Sequence, residues 1–346
     1  MRVSLPVYPH HKTRAEVATL RWVRQNTNIP VPEVFSFDDS NANEIGYEWI
    51  LMEFLQGTSA RKCWRTMSME QKIALTKQMA TFQAELLEYG KPGFMFKNIG
   101  TLDVREIGQE SNAEDLKKIA PGRLVSHGFF MGDHVQYDIP RGPFRSSHDW
   151  LSAELNIILL HHTAVLKRHR TKMTKRTPRS LPPILDERET TGLYHHDLHL
   201  NNILVNEEGE ITAVLDWECV SALPLWMLAK VPKFLDGPVR EEEPQRDLYA
   251  DEAPDVEAEN NDPEYLDNEG KNELYFIHRM EYETTQLRKV HVARLRELWP
   301  ELSLEESAVK IDFFEAVSQC DGIWVKKARR WADCMQKGEV VRWDDA

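Results

Sequence analysis

The sequence contains three oxygen-bearing side chains that could carry out phosphoryl transfer: Asp197, Asn202 and Asp216. A carboxylate near an acceptor hydroxyl can orient that hydroxyl and take its proton, which is the role we predict for Asp197. An amide oxygen and a second carboxylate are hard ligands for Mg²⁺, so we predict that Asn202 and Asp216 hold the metal on nucleotide phosphates. His195 is grouped with the catalytic set, as a residue that supports the loop through a backbone hydrogen bond.

Two short apolar runs predict the element that brings these side chains together. Ile203–Val205 and Ile211–Leu215 have the length and composition of β-strands, and residues 206–209 between them contain the Asn and Gly of a tight turn. One polar loop enters this predicted hairpin and another leaves it. The hairpin therefore places the three side chains close together although they span twenty positions of the chain.

The strings His195–Val205 and Val214–Glu218 resemble the aminoglycoside phosphotransferase (APH) family. That family shares the fold of protein kinases. The resemblance therefore implies two lobes, ATP and Mg²⁺ as cofactors, and phosphate transfer to a hydroxyl of a small molecule. The longer string Asp216–Trp226 is similar to a large, mostly uncharacterised fungal branch of the family. Chance is a poor explanation, because two motifs occur in the right order and at the right spacing.

A kinase-like small lobe needs a cation for the nucleotide phosphates and an acid on the following helix. By resemblance, Arg2–Pro6 corresponds to the third strand of that lobe, which makes Arg2 the cation and Glu16 its partner. Simpler explanations remain open: Arg2 is an exposed terminal residue, and Glu16 follows Thr13 at the spacing of a helix-capping box. The first two strands and the phosphate-covering loop have no counterpart. We expect a chain that begins late, either truncated or a natural variant with an incomplete lid.

The segment Tyr47–Gly57 predicts a buried strand that ends in a glycine turn. In kinase-like folds the chain after this strand is the hinge. By resemblance, the backbone of Glu53, Phe54 and Leu55 therefore hydrogen-bonds to adenine. Recognition of adenine by backbone groups does not constrain which side chains occur there. An ordinary central strand followed by a loop explains the same residues.

We predict an α+β, bilobal, protein-kinase-like fold, with a small mixed lobe at residues 1–57 and a larger, mainly helical lobe at 58–346. Residues 91–145 are predicted to be irregular. The acidic segment 240–272 is predicted to be a disordered or mobile insertion, with a cation-collecting flap over the acceptor site as the alternative. Apolar residues recur at helical spacing in Thr13–Asn26, Ser68–Tyr89, Asp149–His169, Leu274–Trp299 and Ser303–Met335.

The composition of the chain indicates which kinds of partner it has and in which cellular compartment it works. The net charge of −13 comes mostly from the segment 240–272, in which thirteen acids face three bases. The basic stretch 167–179 carries seven Lys and Arg with no interleaved aromatic residue, so we predict no nucleic-acid partner. No apolar run approaches a membrane span, so we predict no membrane partner. Four scattered cysteines indicate reduced thiols, and we predict a cytoplasmic protein.

Two other classes of protein explain parts of the sequence. A non-catalytic nucleotide-binding or scaffold protein would account for the missing phosphate loop, but it does not require an intact Asp/Asn/Asp set. A protein kinase is disfavoured by Trp217 and Glu218 after the metal-binding Asp, and by the absence of a following Ala-Pro-Glu string. We therefore predict an ATP-dependent small-molecule kinase, whose hydroxyl-bearing acceptor the sequence does not identify.

Overall fold

The computed structural model describes residues 1–87, 96–104, 119–168, 189–251, 272–320, 322–339 and 341–345. The strands are Arg2–Val3 (β1), Val34–Asp38 (β2), Trp49–Met52 (β3), Thr58–Ser59 (β4), Gly100–Val104 (β5), Ile119–Pro121 (β6), Thr191–Tyr194 (β7), Ile203–Val205 (β8), Ile211–Val214 (β9) and Ser221–Pro224 (β10). The helices are His11–Asn26 (α1), Ala60–Cys63 (α2), Met69–Leu87 (α3), His127–Phe130 (α4), Ser147–Arg168 (α5), Leu225–Leu228 (α6), Glu273–Leu298 (α7), Leu304–Ser318 (α8) and Val325–Gln336 (α9).

A small antiparallel sheet of order β1-β3-β2 packs against α1. Arg2 in β1 lies opposite Ile50 in β3, and the buried side chains of Val17, Phe37 and Ile50 join helix to sheet. This packing fixes the direction from which Arg2 approaches the rest of the molecule. A small sheet-rich part and a larger helical part give the predicted bilobal, kinase-like fold. The predicted boundary at residue 57 stays a prediction.

Helix α1 begins before the predicted capping box. The N–H groups of Lys12 and Arg14 bond the carbonyls of Tyr8 and His10, so the helix already contains Thr13. No side-chain cap is formed at His10; instead its N–H bonds the distant Glu48 carboxylate at 2.7 Å. The predicted cap by Thr13 is therefore wrong.

The predicted hairpin is present as β8 and β9, with Ile203 opposite Val214 and Leu204 opposite Ala213. Its turn closes through Gly209, whose φ of +83° lies in the left-handed region that glycine adopts at little cost. Strand β4 pairs with the outer side of β8, which connects the end of the hinge to the hairpin. The hairpin is thus held along its β8 edge before the polar loops begin.

The helical part is organised around α3 and α7, which pack along each other. The predicted helix from Ser68 opens with a capping box: Ser68 N donates to Gln71 Oε1 at 2.9 Å, and Gln71 N donates to Ser68 Oγ at 3.2 Å. The buried Lys72 ammonium of α3 lies 2.6 Å from the Glu283 carboxylate of α7. This buried pair joins α3 to α7.

Two predictions for the large lobe are wrong. The stretch 91–145 is not simply irregular, because β5 pairs with β10 and β6 pairs with β5 in a four-stranded sheet of order β6-β5-β10-β7. The predicted single helix Ser303–Met335 is two helices, α8 and α9. The chain breaks near Gly322, a weak helix former, and Trp331 folds back to within 6.0 Å of the Phe313 ring.

Several predictions lie partly outside the described residues. The end of the predicted helix at Tyr89, the basic residues after Arg168 and residues 252–271 of the acidic segment are among them. Among the described residues, no helix is long and apolar enough to cross a bilayer.

Candidate functional site

The loop before the hairpin holds Asp197 and Asn202 together. The Asn202 Nδ2 group donates to the backbone oxygen of Asp197 at 3.0 Å and to its Oδ2 at 3.3 Å. The amide oxygen of Asn202 takes no part in this contact, so it can act as a metal ligand. The N–H of Leu215 donates to the Asn202 carbonyl at 2.8 Å, which draws Asp216 to the same place.

His195 links the two polar loops through the backbone. Its Nε2 lies 3.0 Å from the carbonyl oxygen of Leu215, and its Nδ1 lies 3.3 Å from the N–H of Asp197. A carbonyl can only accept and an N–H can only donate, so the ring is neutral with its proton on Nε2. Burial lowers the pKa of His195 to about 4, which keeps the ring neutral. The predicted backbone hydrogen bond is present; a contribution to catalysis stays a prediction.

Asp216 has a left-handed backbone, with a φ of 62°. Such a conformation costs a residue other than glycine about 1–3 kcal/mol, and it persists where the surroundings over-determine it. Trp217 supplies part of that constraint: its ring is buried and its Nε1 donates to the Val214 carbonyl at 2.8 Å. The Asp216 carboxylate is thus carried on a backbone position that the buried Trp217 helps to hold.

Arg2 reaches the Asp216 carboxylate from the small sheet. Its guanidinium lies 2.5 Å from Glu16 Oε1 and 3.2 Å from Asp216 Oδ1, and it also pairs with Glu218. The structure thus brings together the cation and the helix acid that the resemblance implied. Burial raises the pKa of Glu16 to about 7, against the opposing effect of Arg2.

A second cation lies beside Arg2. The Nζ of Lys12, in the first turn of α1, lies 2.7 Å from Glu218 Oε2, and the Lys12 side chain is buried. Burial alone would raise the pKa of Glu218, but Lys12 and Arg2 outweigh it and lower that pKa. Lys12 was not predicted as a site residue, since nothing in its local sequence pattern distinguishes it from an exposed helix residue.

The Asp197 carboxylate faces a lysine ammonium and an imidazole. Lys233 Nζ lies 2.9 Å from its Oδ1, and His199 Nε2 lies 3.2 Å from its Oδ2. Burial alone would raise the pKa of Asp197, but Lys233 and His199 lower it. The carboxylate is therefore ionised at neutral pH. Lys233 was also missed; its segment docks on the loop through a hydrogen bond from Phe234 N to the Leu198 carbonyl, at 2.9 Å.

The predicted hinge residues lie between β3 and β4. The N–H of Glu53 bonds the Glu33 carbonyl at 2.8 Å, and the Glu53 carboxylate contacts Arg24 at 3.3 Å. The Phe54 side chain is 83% exposed. The N–H of Glu53 is thus already used inside the small sheet. Adenine binding stays a prediction for its carbonyl and for the backbone of Phe54 and Leu55.

The arrangement suits a magnesium–nucleotide complex better than a metal held by protein alone. Among the described residues, no group of three or more His, Cys, Asp or Glu side chains could hold a metal ion. Mg²⁺ commonly takes one or two protein oxygens and completes its shell with phosphates and water. Asn202 and Asp216 can supply those oxygens, and Arg2 can neutralise phosphate charge.

This loop and hairpin, on a kinase-like fold, define a phosphotransferase class of protein. A model of the phosphotransferase enzyme family (APH) matches residues 1–227, and the chain belongs to that family.

The chain is also similar to a subtelomeric hrmA-associated cluster protein of Aspergillus fumigatus, with 24% identity over 285 residues, covering 67% of this chain and 55% of the relative. It is 26% identical over 279 residues to altered inheritance of mitochondria protein 9, mitochondrial, of Saccharomyces cerevisiae, covering 66% of this chain and 44% of the relative. The chain spans about half the length of the curated relatives it matches. Because the yeast relative is named as mitochondrial, the cytoplasmic location stays a prediction.

Proposed function

We propose that this protein transfers the γ-phosphoryl group of ATP to a hydroxyl group of a small molecule in the presence of Mg²⁺. One observation carries the proposal: the hairpin gathers Asp197, Asn202 and Asp216, and the Arg2–Glu16 pair approaches Asp216 from the other lobe. A purely structural hairpin would not require this set of oxygens and cations. Family membership supports the reaction class but does not identify the acceptor.

In the proposed reaction, Asp197 orients the acceptor hydroxyl and accepts its proton. The lowered pKa of Asp197 makes it a weak base, so its main contribution is to hold the hydroxyl in line with the phosphorus. His195 keeps this loop at a fixed position relative to Asp216 through the Leu215 carbonyl. Little covalent chemistry falls on the protein, and most of the acceleration comes from positioning and charge neutralisation.

The phosphates would meet cations from the small lobe. Arg2 pairs the nucleotide phosphates, with Glu16 holding its guanidinium, and Lys12 adds a second positive charge held by Glu218. When bound, Mg²⁺ would neutralise charge on the phosphate oxygens, with Asn202 and Asp216 as its protein ligands. The cations and the metal ligands would thus act together on one phosphate chain, because Arg2 already contacts Asp216.

A second candidate function is nucleotide binding without transfer. The observation that favours it is the pairing of both key carboxylates: Arg2 contacts Asp216, and Lys233 contacts Asp197. If these pairs persist when nucleotide binds, Asp197 cannot receive the acceptor proton. The two functions therefore differ in turnover and agree in ATP binding.

The two candidate functions are distinguished by product analysis after incubation with Mg²⁺, ATP and a panel of small-molecule alcohols. We expect phosphorylated alcohol and ADP in equal amounts from the wild type. Asp197→Asn should lower kcat by about a hundredfold or more while leaving ATP affinity unchanged. Asp333→Asn, an exposed carboxylate on α9, is the matched control and should behave as wild type. Turnover that survives Asp197→Asn would remove the assigned role, and ATP binding without any phosphorylated alcohol would favour the second candidate.

A further inference from the structure

A cavity of about 500 Å³ lies in the large lobe beside the polar loops. This size is within the range of cavities that bind small molecules. Its wall comes from α4, α5, β10 and α8, together with the end of β7. The apolar side chains of its lining include Leu124, Trp150, Ile157, Leu223, Met227 and Phe314.

Residues that line the cavity are next in sequence to candidate site residues. His196 and Cys219 both line it; His196 directly precedes Asp197, and Cys219 directly follows Glu218. The His127 ring, also in the lining, lies 6.1 Å from the His196 ring. The wall is therefore continuous with the loops that carry Asp197 and Asp216.

The polar atoms of this wall that are buried without a hydrogen-bond partner among the described residues include Ser126 Oγ and His196 Nδ1. Buried polar atoms in native proteins are almost always paired, and leaving one unpaired is costly. A molecule inside the cavity can supply the missing partners, so the wall is prepared for an occupant with at least one polar group.

The charge of the lining limits what that occupant can be. Glu154 is the one carboxylate among the described lining residues, and it accepts a hydrogen bond from Trp150 Nε1 at 3.1 Å. Lys230, the lysine of the lining, is paired with Glu315 at 2.5 Å. Burial raises the pKa of Glu154 to about 7. A polycationic ligand would enter this space with nearly all of its charges unpaired, which is unfavourable.

We propose that this cavity is the acceptor pocket, and that the acceptor is an alcohol with a largely apolar body and at most one positive charge. The inference rests on the proposed function and names its substrate class. In the reaction, the bond between the γ-phosphorus and the bridging oxygen of ATP breaks, and that oxygen leaves with the electron pair as part of ADP. The acceptor oxygen forms the new bond to phosphorus, and its proton passes to the Asp197 carboxylate. The products are ADP and the phosphate monoester of the alcohol.

The test uses three probe alcohols: decanol, aminodecanol and kanamycin. Binding is measured by saturation-transfer NMR on the Asp197→Asn protein, so that it does not depend on turnover, and phosphate transfer is measured on proteins that keep Asp197. Ile158→Trp narrows the cavity from α5, and Leu160→Trp places the same bulk on the same helix at an exposed position outside the lining. Ile158 is half-buried and Leu160 is exposed, which favours folding of both variants.

We expect decanol and aminodecanol to bind and to be phosphorylated. Ile158→Trp should reduce binding and phosphorylation of these two alcohols at least tenfold, and Leu160→Trp should change neither. Glu154→Gln should weaken aminodecanol about tenfold relative to decanol, because it removes the one lining carboxylate.

Phosphorylation of kanamycin that survives Ile158→Trp would overturn the proposed acceptor class while leaving the proposed function intact. Binding of decanol without phosphorylation, in a protein that phosphorylates another alcohol, would show that the cavity is not the acceptor pocket. Failure of the wild type to bind ATP with Mg²⁺ would remove the proposed function, and this inference with it.

Discussion

The neutral state of His195 predicts an acid-sensitive native fold. Its imidazole is buried and joins the Asp197 loop to the Leu215 carbonyl, and burial lowers its pKa from 6.5 to about 4. The unfolded chain therefore binds more protons than the native state between these two pKa values. The stability contributed by His195 is fully present above its unfolded pKa and is lost as the pH falls towards the folded pKa.

The size of this loss follows from the two pKa values of His195. A pKa difference of one corresponds to about 1.4 kcal/mol, so the full effect of one buried imidazole is roughly 3 kcal/mol, most of it lost by about pH 4.5. His195→Gln has no titrating ring. The variant should be less stable than the wild type near pH 7, because a hydrogen bond and the packing on Trp217 are weakened.

Urea unfolding, followed by tryptophan fluorescence at pH 7 and at about pH 4.5, measures the difference in stability between wild type and His195→Gln. We expect the stability gap between wild type and His195→Gln to shrink by roughly 2–3 kcal/mol from neutral to acid pH. His291→Gln is the matched control: its buried ring also has a pKa lowered to about 4, but it contacts Gln83 of α3 at 2.9 Å. The control should show the same pH effect without changing ATP affinity. A gap that does not change with pH would refute the neutral, buried state of His195.

Three further predictions concern other contacts. Lys233→Ala removes a hydrogen-bond donor from the Asp197 carboxylate, so the pKa of Asp197 should rise. The acidic limb of the plot of kcat/KM against pH should then move to higher pH, and an unchanged plot would refute this. Lys72→Met leaves the buried Glu283 carboxylate with Arg279 as a partner. Urea unfolding should show a stability loss of roughly 3 kcal/mol, and a loss near zero would contradict the prediction. Gly57→Ala places a Cβ against the hairpin at a φ of +144°, and a decrease in Tm with a stability loss of about 1–3 kcal/mol is expected; an unchanged Tm would contradict the geometry.

Local patterns predicted the parts of the structure whose partners are close in sequence. The hairpin β8–β9 follows from two apolar runs and a turn, and the cap of α3 follows from Ser68 and Gln71. The pairing of Arg2 with Glu16 came from family resemblance, since no local rule links a short strand to the middle of the next helix. These are the elements that hold the predicted site residues.

Long-range packing produced the features that the sequence did not indicate. Strand β5 was missed because its partner β10 lies far along the chain, with Thr101 opposite Ser221. Thr13 looked like a helix cap because the contribution of the distant Glu48 could not be anticipated. Lys12 and Lys233 join the site only once α1 and the segment after α6 have packed against the hairpin. Their residue types are also common on exposed surfaces, so composition gave no signal.

Calorimetric titration with ATP in the presence and absence of Mg²⁺ tests the central claim most directly. The comparison needs the wild type, Asp216→Ala, and Asp333→Ala as a control on the exposed face of α9. We predict binding that requires Mg²⁺ in the wild type, that is lost in Asp216→Ala, and that is unchanged in Asp333→Ala. Equal binding by wild type and Asp216→Ala, or no binding by the wild type, would contradict the assignment of this site to a magnesium–nucleotide complex.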